Sequence, residues 1–134
     1  PGVDLPIGTI MRSKYGEYPE YHTSLDDMCL VTPSGLGGGF TALKKTLEVI
    51  ENNVFPKVTV LGEPQLGKRG LTPTLSTKDL RKEFILIRHL ISYSDGKKSL
   101  LEISELLDEP FWKLSSLIDK LFNHGLLYLN VDRE

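Results

Sequence analysis

Two textures of hydrophobic spacing divide this chain. In the first half, Leu36, Phe40, Leu43, Leu47 and Ile50 recur at intervals of three and four, which predicts one helix with a single apolar face. Thr32 is placed to cap that helix, and Pro33 suits its first position because a missing N–H costs nothing there. Asn52-Asn53 ends it. The triplet Gly37-Gly38-Gly39 disfavours helix by roughly 1 kcal/mol per glycine against alanine, so an irregular first turn is expected. "KVTVLG", residues 57 to 62, is a short β-branched run and predicts a strand.

From Asp79 the apolar positions are denser. Phe84, Ile87, Leu90 and Ile91 make one helical face, closed by Ser94-Asp95-Gly96. Ser99 followed by Glu102 is a capping box, and Leu100, Ile103, Leu106 and Leu107 are the apolar positions behind it. Asp108-Glu109-Pro110 opens a third helix with Pro110 in its first turn. Phe111, Leu114, Leu117, Ile118, Leu121 and Phe122 line that helix's core face, and Gly125 is its expected C-cap. "LLYLNV" then reads as a strand. A short middle helix, a tight turn and a longer third helix are helix-turn-helix order, and the trailing strand predicts a wing.

The remaining stretches are punctuated by turn formers. Residues 1 to 8 hold two prolines and two glycines and predict a loop leading to a short extended piece, Thr9 to Met11. "YGEYPEYHTSLDD", residues 15 to 27, is looped or extended, with Pro19 disfavouring helix at Tyr18. "EPQLGKRGLTPTLSTKD" reads as a connecting loop. The expected organisation is therefore an α+β chain in two parts, residues 1 to 75 and residues 79 to 134.

Composition narrows the function. Net charge is −2, so the chain carries no general attraction for nucleic acid or anionic membranes. One cysteine, Cys29, excludes an intrachain disulfide and suits a reducing, cytoplasmic compartment. No apolar run is long enough to span a bilayer, and no signal peptide is recognisable. The chain opens at Pro1 without an initiator methionine, as a fragment or a processed product would.

The candidate chemistry centres on His22. A neutral imidazole is a good zinc ligand, commonly oriented by a carboxylate, and Asp26 and Asp27 lie close by. The competing reading is a loop histidine near solvent. Zinc needs three or four protein ligands. His89 falls mid-helix and His124 at a helix end, each beside core positions, so any further ligands must lie outside these residues. Arg12, Glu17, Tyr18 and Tyr21 flank His22 and could hold a substrate, or could simply pack the loop. "GLGGGF" lacks the lysine of a phosphate loop and the third glycine of a dinucleotide fingerprint, so both readings fail. Lys68-Arg69 in "GKRG" could meet a phosphate, though so small a basic cluster is usually only solvated.

"GEYPEYHTSLDD" resembles the last zinc-ligand segment of the di-zinc aminopeptidases, which carry His-Thr-x-x-Asp ahead of the final helix of the catalytic domain. With "MRSKYGEYPEYHTSLDD" and the later "EPQLGKRGL", the whole chain resembles a bacterial family of aminopeptidase-like proteins associated with polysaccharide biosynthesis. Those proteins join a zinc-peptidase-like domain to a C-terminal winged helix. The resemblance implies that residues 1 to 75 are the C-terminal edge of an α/β zinc-aminopeptidase-like domain and that the rest is the winged helix. It implies that His22 is a metal ligand and Asp26 the residue that orients it. Two zinc ions are implied for the complete protein, with the other ligands and the general base upstream. It implies a zinc-dependent hydrolase acting on a peptide or amide small molecule, inactive as this piece alone. The alternative is a non-catalytic interaction module.

The charge pattern bears on the winged helix. From Asp79 onward acidic residues outnumber basic ones, and Asp108 and Glu109 stand at the start of the third helix. That helix offers no arginine, asparagine or glutamine before Asn123, so base reading is disfavoured. Trp112, beside the core stripe and expected to be half exposed, suits a protein partner or a second copy of the chain.

Overall fold

Residues 2–72 and 78–132 are described by the structure, a computed structural model. The chain divides into two compact units, Pro1–Glu48 and Val49–Glu134.

The first unit is a long irregular loop followed by most of helix α1 (Pro33–Asn52). Thr32 caps α1 as its position predicts: its Oγ1 accepts from the Gly35 N–H at 3.1 Å. The glycine triplet does not break the first turns. The helix runs through it, and the Thr41 hydroxyl donates to the Gly37 carbonyl at 2.8 Å. Propensity is a weak prior, and three open glycine positions are tolerated inside a twenty-residue helix. Thr9 to Met11 forms no strand; the segment is irregular and pairs with nothing among the described residues. No residue of α1 is buried. Its predicted face is present, but Leu36, Phe40, Leu43, Leu47 and Ile50 are each at least 50% exposed.

The second unit holds the hydrophobic core. Strand β1 (Phe55–Val58) lies two residues earlier than the β-branched run suggests. Long-range pairing decides its limits: it runs antiparallel to the last strand, β2 (Leu127–Asn130), with Phe55 opposite Asn130 and Val58 opposite Leu127. On its other side the Pro56 carbonyl accepts from the Gly96 N–H, and the Val58 N–H donates to Ser94, both at 3.0 Å. The expected domain boundary at residues 75 to 79 thus falls inside this unit, because β1 belongs to the sheet that β2 completes.

A 3-10 turn (Leu66–Arg69) follows, and it buries Leu66. Helix α2 (Lys78–Tyr93) contributes Leu86, Ile87 and Leu90 to the core. Asp95 accepts from the Lys97 N–H at 2.9 Å. That hydrogen bond, opposed by slight burial and assisted by the Lys98 charge, holds the Asp95 carboxyl below its usual value. Helix α3 (Leu100–Leu107) starts on a complete capping box: Ser99 Oγ accepts from the Glu102 N–H at 3.2 Å, and Glu102 accepts from the Ser99 N–H at 2.6 Å. Helix α4 (Phe111–Asn123) buries Phe111, Leu114, Leu117, Ile118 and Leu121. Pro110 sits at its N-cap rather than within its first turn, and His124 caps its end with Gly125 following at φ 66°. Leu106 and Phe122, which share the helical period of the core, are exposed.

The order of α2, α3 and α4 with β1 and β2 is a winged-helix arrangement, and the described chain is α+β. No helix among the described residues is long and apolar enough to cross a membrane.

Candidate functional site

The loop ahead of α1 is a succession of tight turns. The N–H groups of Glu17, Tyr21, Thr23 and Asp26 each donate to the carbonyl three residues back, at 3.1 to 3.2 Å. The Thr23 side chain works on both sides of this path: its hydroxyl donates to the Glu20 carbonyl at 2.8 Å and accepts from the Leu25 N–H at 3.2 Å. Asp27 accepts from the Cys29 N–H at 2.7 Å, a turn of the kind aspartate favours. Threonine and aspartate at these positions therefore shape the path of the loop.

His22 stands in this loop with φ 56°, the left-handed region that only a few per cent of non-glycine residues adopt. Its imidazole is exposed and stacks on Tyr21, with centroids 4.2 Å apart and planes 18° apart. Tyr21 in turn meets Tyr18 edge-on at 5.6 Å and Tyr15 at 6.2 Å. The aromatic density of the segment thus becomes a small stack centred on Tyr21.

The predicted site residues separate. Arg12, Tyr18 and Asp26 line one cavity of about 510 Å³, together with Thr32, Ser34 and Gly35 at the start of α1. Glu17 is elsewhere, paired with Lys14 at 2.8 Å in solvent. Tyr21 and His22 do not line the cavity. Thr32, Ser34 and Gly35 were legible in the sequence only as a helix start; their role as a wall follows from the loop folding back over that start.

The described residues hold no group of three histidines, cysteines or carboxylates able to bind a metal ion. By donor count, therefore, the residues present do not fit a zinc ion by themselves. His89 is exposed on α2, and the His124 ring nitrogen Nδ1 lies 2.7 Å from the Lys120 carbonyl, so neither adds a ligand near His22.

The "GKRG" segment is structural. Arg69 Nε donates to the Pro64 carbonyl at 3.0 Å, and its Nη1 donates to the His124 carbonyl at 3.1 Å. The guanidinium closes its own turn and ties it to the C-terminal end of α4, where a cation is favourable. Gln65 and Gly70, both left-handed, bracket this turn.

With this geometry, the chain belongs to the winged helix-turn-helix family, whose model matches residues 53–129. A second family model, for a domain of unknown function (DUF4910), matches residues 1–53. The chain is 34% identical over 131 residues to a Clostridium acetobutylicum protein provisionally named a polysaccharide biosynthesis protein with an aminopeptidase-like domain. That alignment takes 96% of this chain but 30% of the relative. A crystal structure from the same organism, provisionally named a peptidase, superposes with a TM-score of 0.74 at 32% identity. It covers 89% of this chain and 25% of that one, so the chain spans under a third of the proteins it matches.

Proposed function

We propose that this chain is the C-terminal part of a zinc-dependent aminopeptidase-like hydrolase that cleaves a peptide or amide bond. His22 supplies one ligand and Asp26 orients it, while the other ligands and the general base come from polypeptide outside these residues. One observation carries the reading: a relative with an aminopeptidase-like domain aligns through nearly the whole chain, including the loop that holds His22 out to solvent. The donor count agrees, since a single exposed imidazole can be one corner of a shared site and no more. Zinc, when bound, would polarise a carbonyl and lower the pKa of bound water. A cytoplasmic setting suits the free thiol of Cys29.

The test uses the full reading frame. Elemental analysis is expected to find two zinc ions per molecule. His22→Ala should lose at least one and cut aminoacyl-amide hydrolysis by more than about 100-fold. Two zinc ions retained in the variant would remove His22 from the site, and a protein without metal or hydrolysis would leave only the interaction module.

The winged helix is proposed as a docking element for protein rather than nucleic acid. Both lysines of α4 are already neutralised: Lys113 pairs with Glu109 at 2.7 Å and Lys120 with Glu83 at 3.2 Å. Trp112 is 54% exposed, as an anchor for a partner surface would be. Titration with duplex DNA at low salt is expected to show no binding tighter than about 10 μM, weaker than the non-specific affinity of ordinary DNA-binding proteins at that ionic strength. Tight binding with a steep salt dependence would reverse this assignment.

A further inference from the structure

A cavity lies against the start of α1. Within residues 2–48 only Tyr18, Glu20, Tyr21, Thr32 and Gly35 are partly buried, and three of these line it. Arg12 reaches into this wall. Its Nη1 lies so close to Gly35 that a Cβ there would stand 3.1 Å from it. Asp26 is the acidic residue in the lining, yet Arg12 makes no hydrogen bond or ion pair with it or with any other described residue. Ser13, Tyr18 and Ser34 line the same cavity, and Ser34 Oγ pairs with Thr32 Oγ1 at 3.2 Å.

A planar cation with paired donors, in a cavity that hydroxyl-bearing residues also line, matches a carboxylate better than an amide or an apolar group. We propose that this cavity is a substrate subsite in which Arg12 binds a carboxylate, so that the substrate class is a peptide or amide bearing a free carboxylate. The assignment rests on the reading of this loop as the border of a hydrolase site, and it adds the charge of the group bound there. A side chain at Gly35 would press on the guanidinium and on Thr32 Oγ1, which would lie 3.2 Å from the added carbon, so one or both would have to give way.

The test is binding by NMR to the full-length protein. The probes are N-acetylalanine and N-acetylalaninamide, whose blocked amines resist aminopeptidase cleavage. The carboxylate is expected to bind at least about tenfold tighter than the carboxamide. Arg12→Gln should close that gap, and Gly35→Ala, which leaves every charge in place, should narrow it; amide spectra confirm that both variants are folded. Equal binding of the two probes, no binding of either, or a gap that survives Arg12→Gln overturns the proposal. A protein that shows the gap yet hydrolyses nothing would sink the hydrolase reading and leave this subsite standing.

Discussion

A chain that begins at Val60 is expected to remain unfolded, whereas one that begins at Val49 should melt as cooperatively as the whole. The difference is β1. Its Pro56 is fully buried, and Val54 and Val58 pack against the core from partly buried positions. The strand and the residue before it also supply backbone acceptors that nothing else replaces: the Leu100 N–H donates to Val54 at 2.8 Å and the Gly96 N–H to Pro56 at 3.0 Å. Asn53 Oδ1 accepts from the Leu101 N–H at 2.9 Å, in the first turn of α3. Removing the strand would leave β2 without its partner, uncover Leu126 and Leu127, and strand several buried donors at roughly 1 to 3 kcal/mol each. Those losses together are comparable with the roughly 5 to 15 kcal/mol that ordinarily separates a domain from its unfolded chain, and that margin is smaller for so small a unit. Thermal circular dichroism and an NMR amide fingerprint check the expectation; a dispersed spectrum from residues 60 to 134 would overturn it. The same comparison locates the working boundary. A cut at residues 75 to 79, where composition changes, would destroy the winged helix, while the matching family model begins at residue 53.

Local signals were readable in the sequence and distant ones were not. The capping box at Ser99 and Glu102, the Thr32 cap and the core stripe of α4 depend on residues within one or two helical turns, and each appears where spacing places it. The limits of β1 depend on a partner some seventy residues away. Phe55-Pro56 does not look like the start of a strand, because proline cannot donate to a ladder. Here the bonds to β2 use alternate residues, with the Thr59 N–H donating to Leu126, and the Pro56 carbonyl accepts from Gly96 on the other side instead. Its missing donor therefore costs the pairing with β2 nothing. The site divides along the same line. The Asp27 and Thr23 turns follow from residue type, but the cavity depends on the loop path, and Arg69, which residue type leaves as a solvated cation, bonds two carbonyls, one of them distant in sequence. Leu106 and Phe122 mark another limit: helical period assigns a face, and only packing says how wide the buried part of that face is.

That limit leads to the last expected result, which contrasts two leucines of similar helical setting. In the 134-residue chain, Leu114→Ala should destabilise the folded state by about 3 kcal/mol, because Leu114 is 0% exposed within the hydrophobic core and its loss leaves a cavity. Leu43→Ala should change it by less than about 0.5 kcal/mol, since half of that side chain already stands in water. An apolar face as long as that of α1 is not stable in solvent for its own sake. If α1 is the last helix of a larger aminopeptidase-like domain, the rest of that domain must cover Leu36, Phe40, Leu43 and Leu47. In the full-length protein Leu43→Ala should then cost about 2 kcal/mol or more, and hydrogen exchange along α1 should slow by orders of magnitude relative to this chain. Urea unfolding of both variants in both lengths separates the cases. A Leu43→Ala effect that stays negligible in the full-length protein would mean that α1 is not a core helix of the larger domain, and the hydrolase reading would lose its structural footing in this chain.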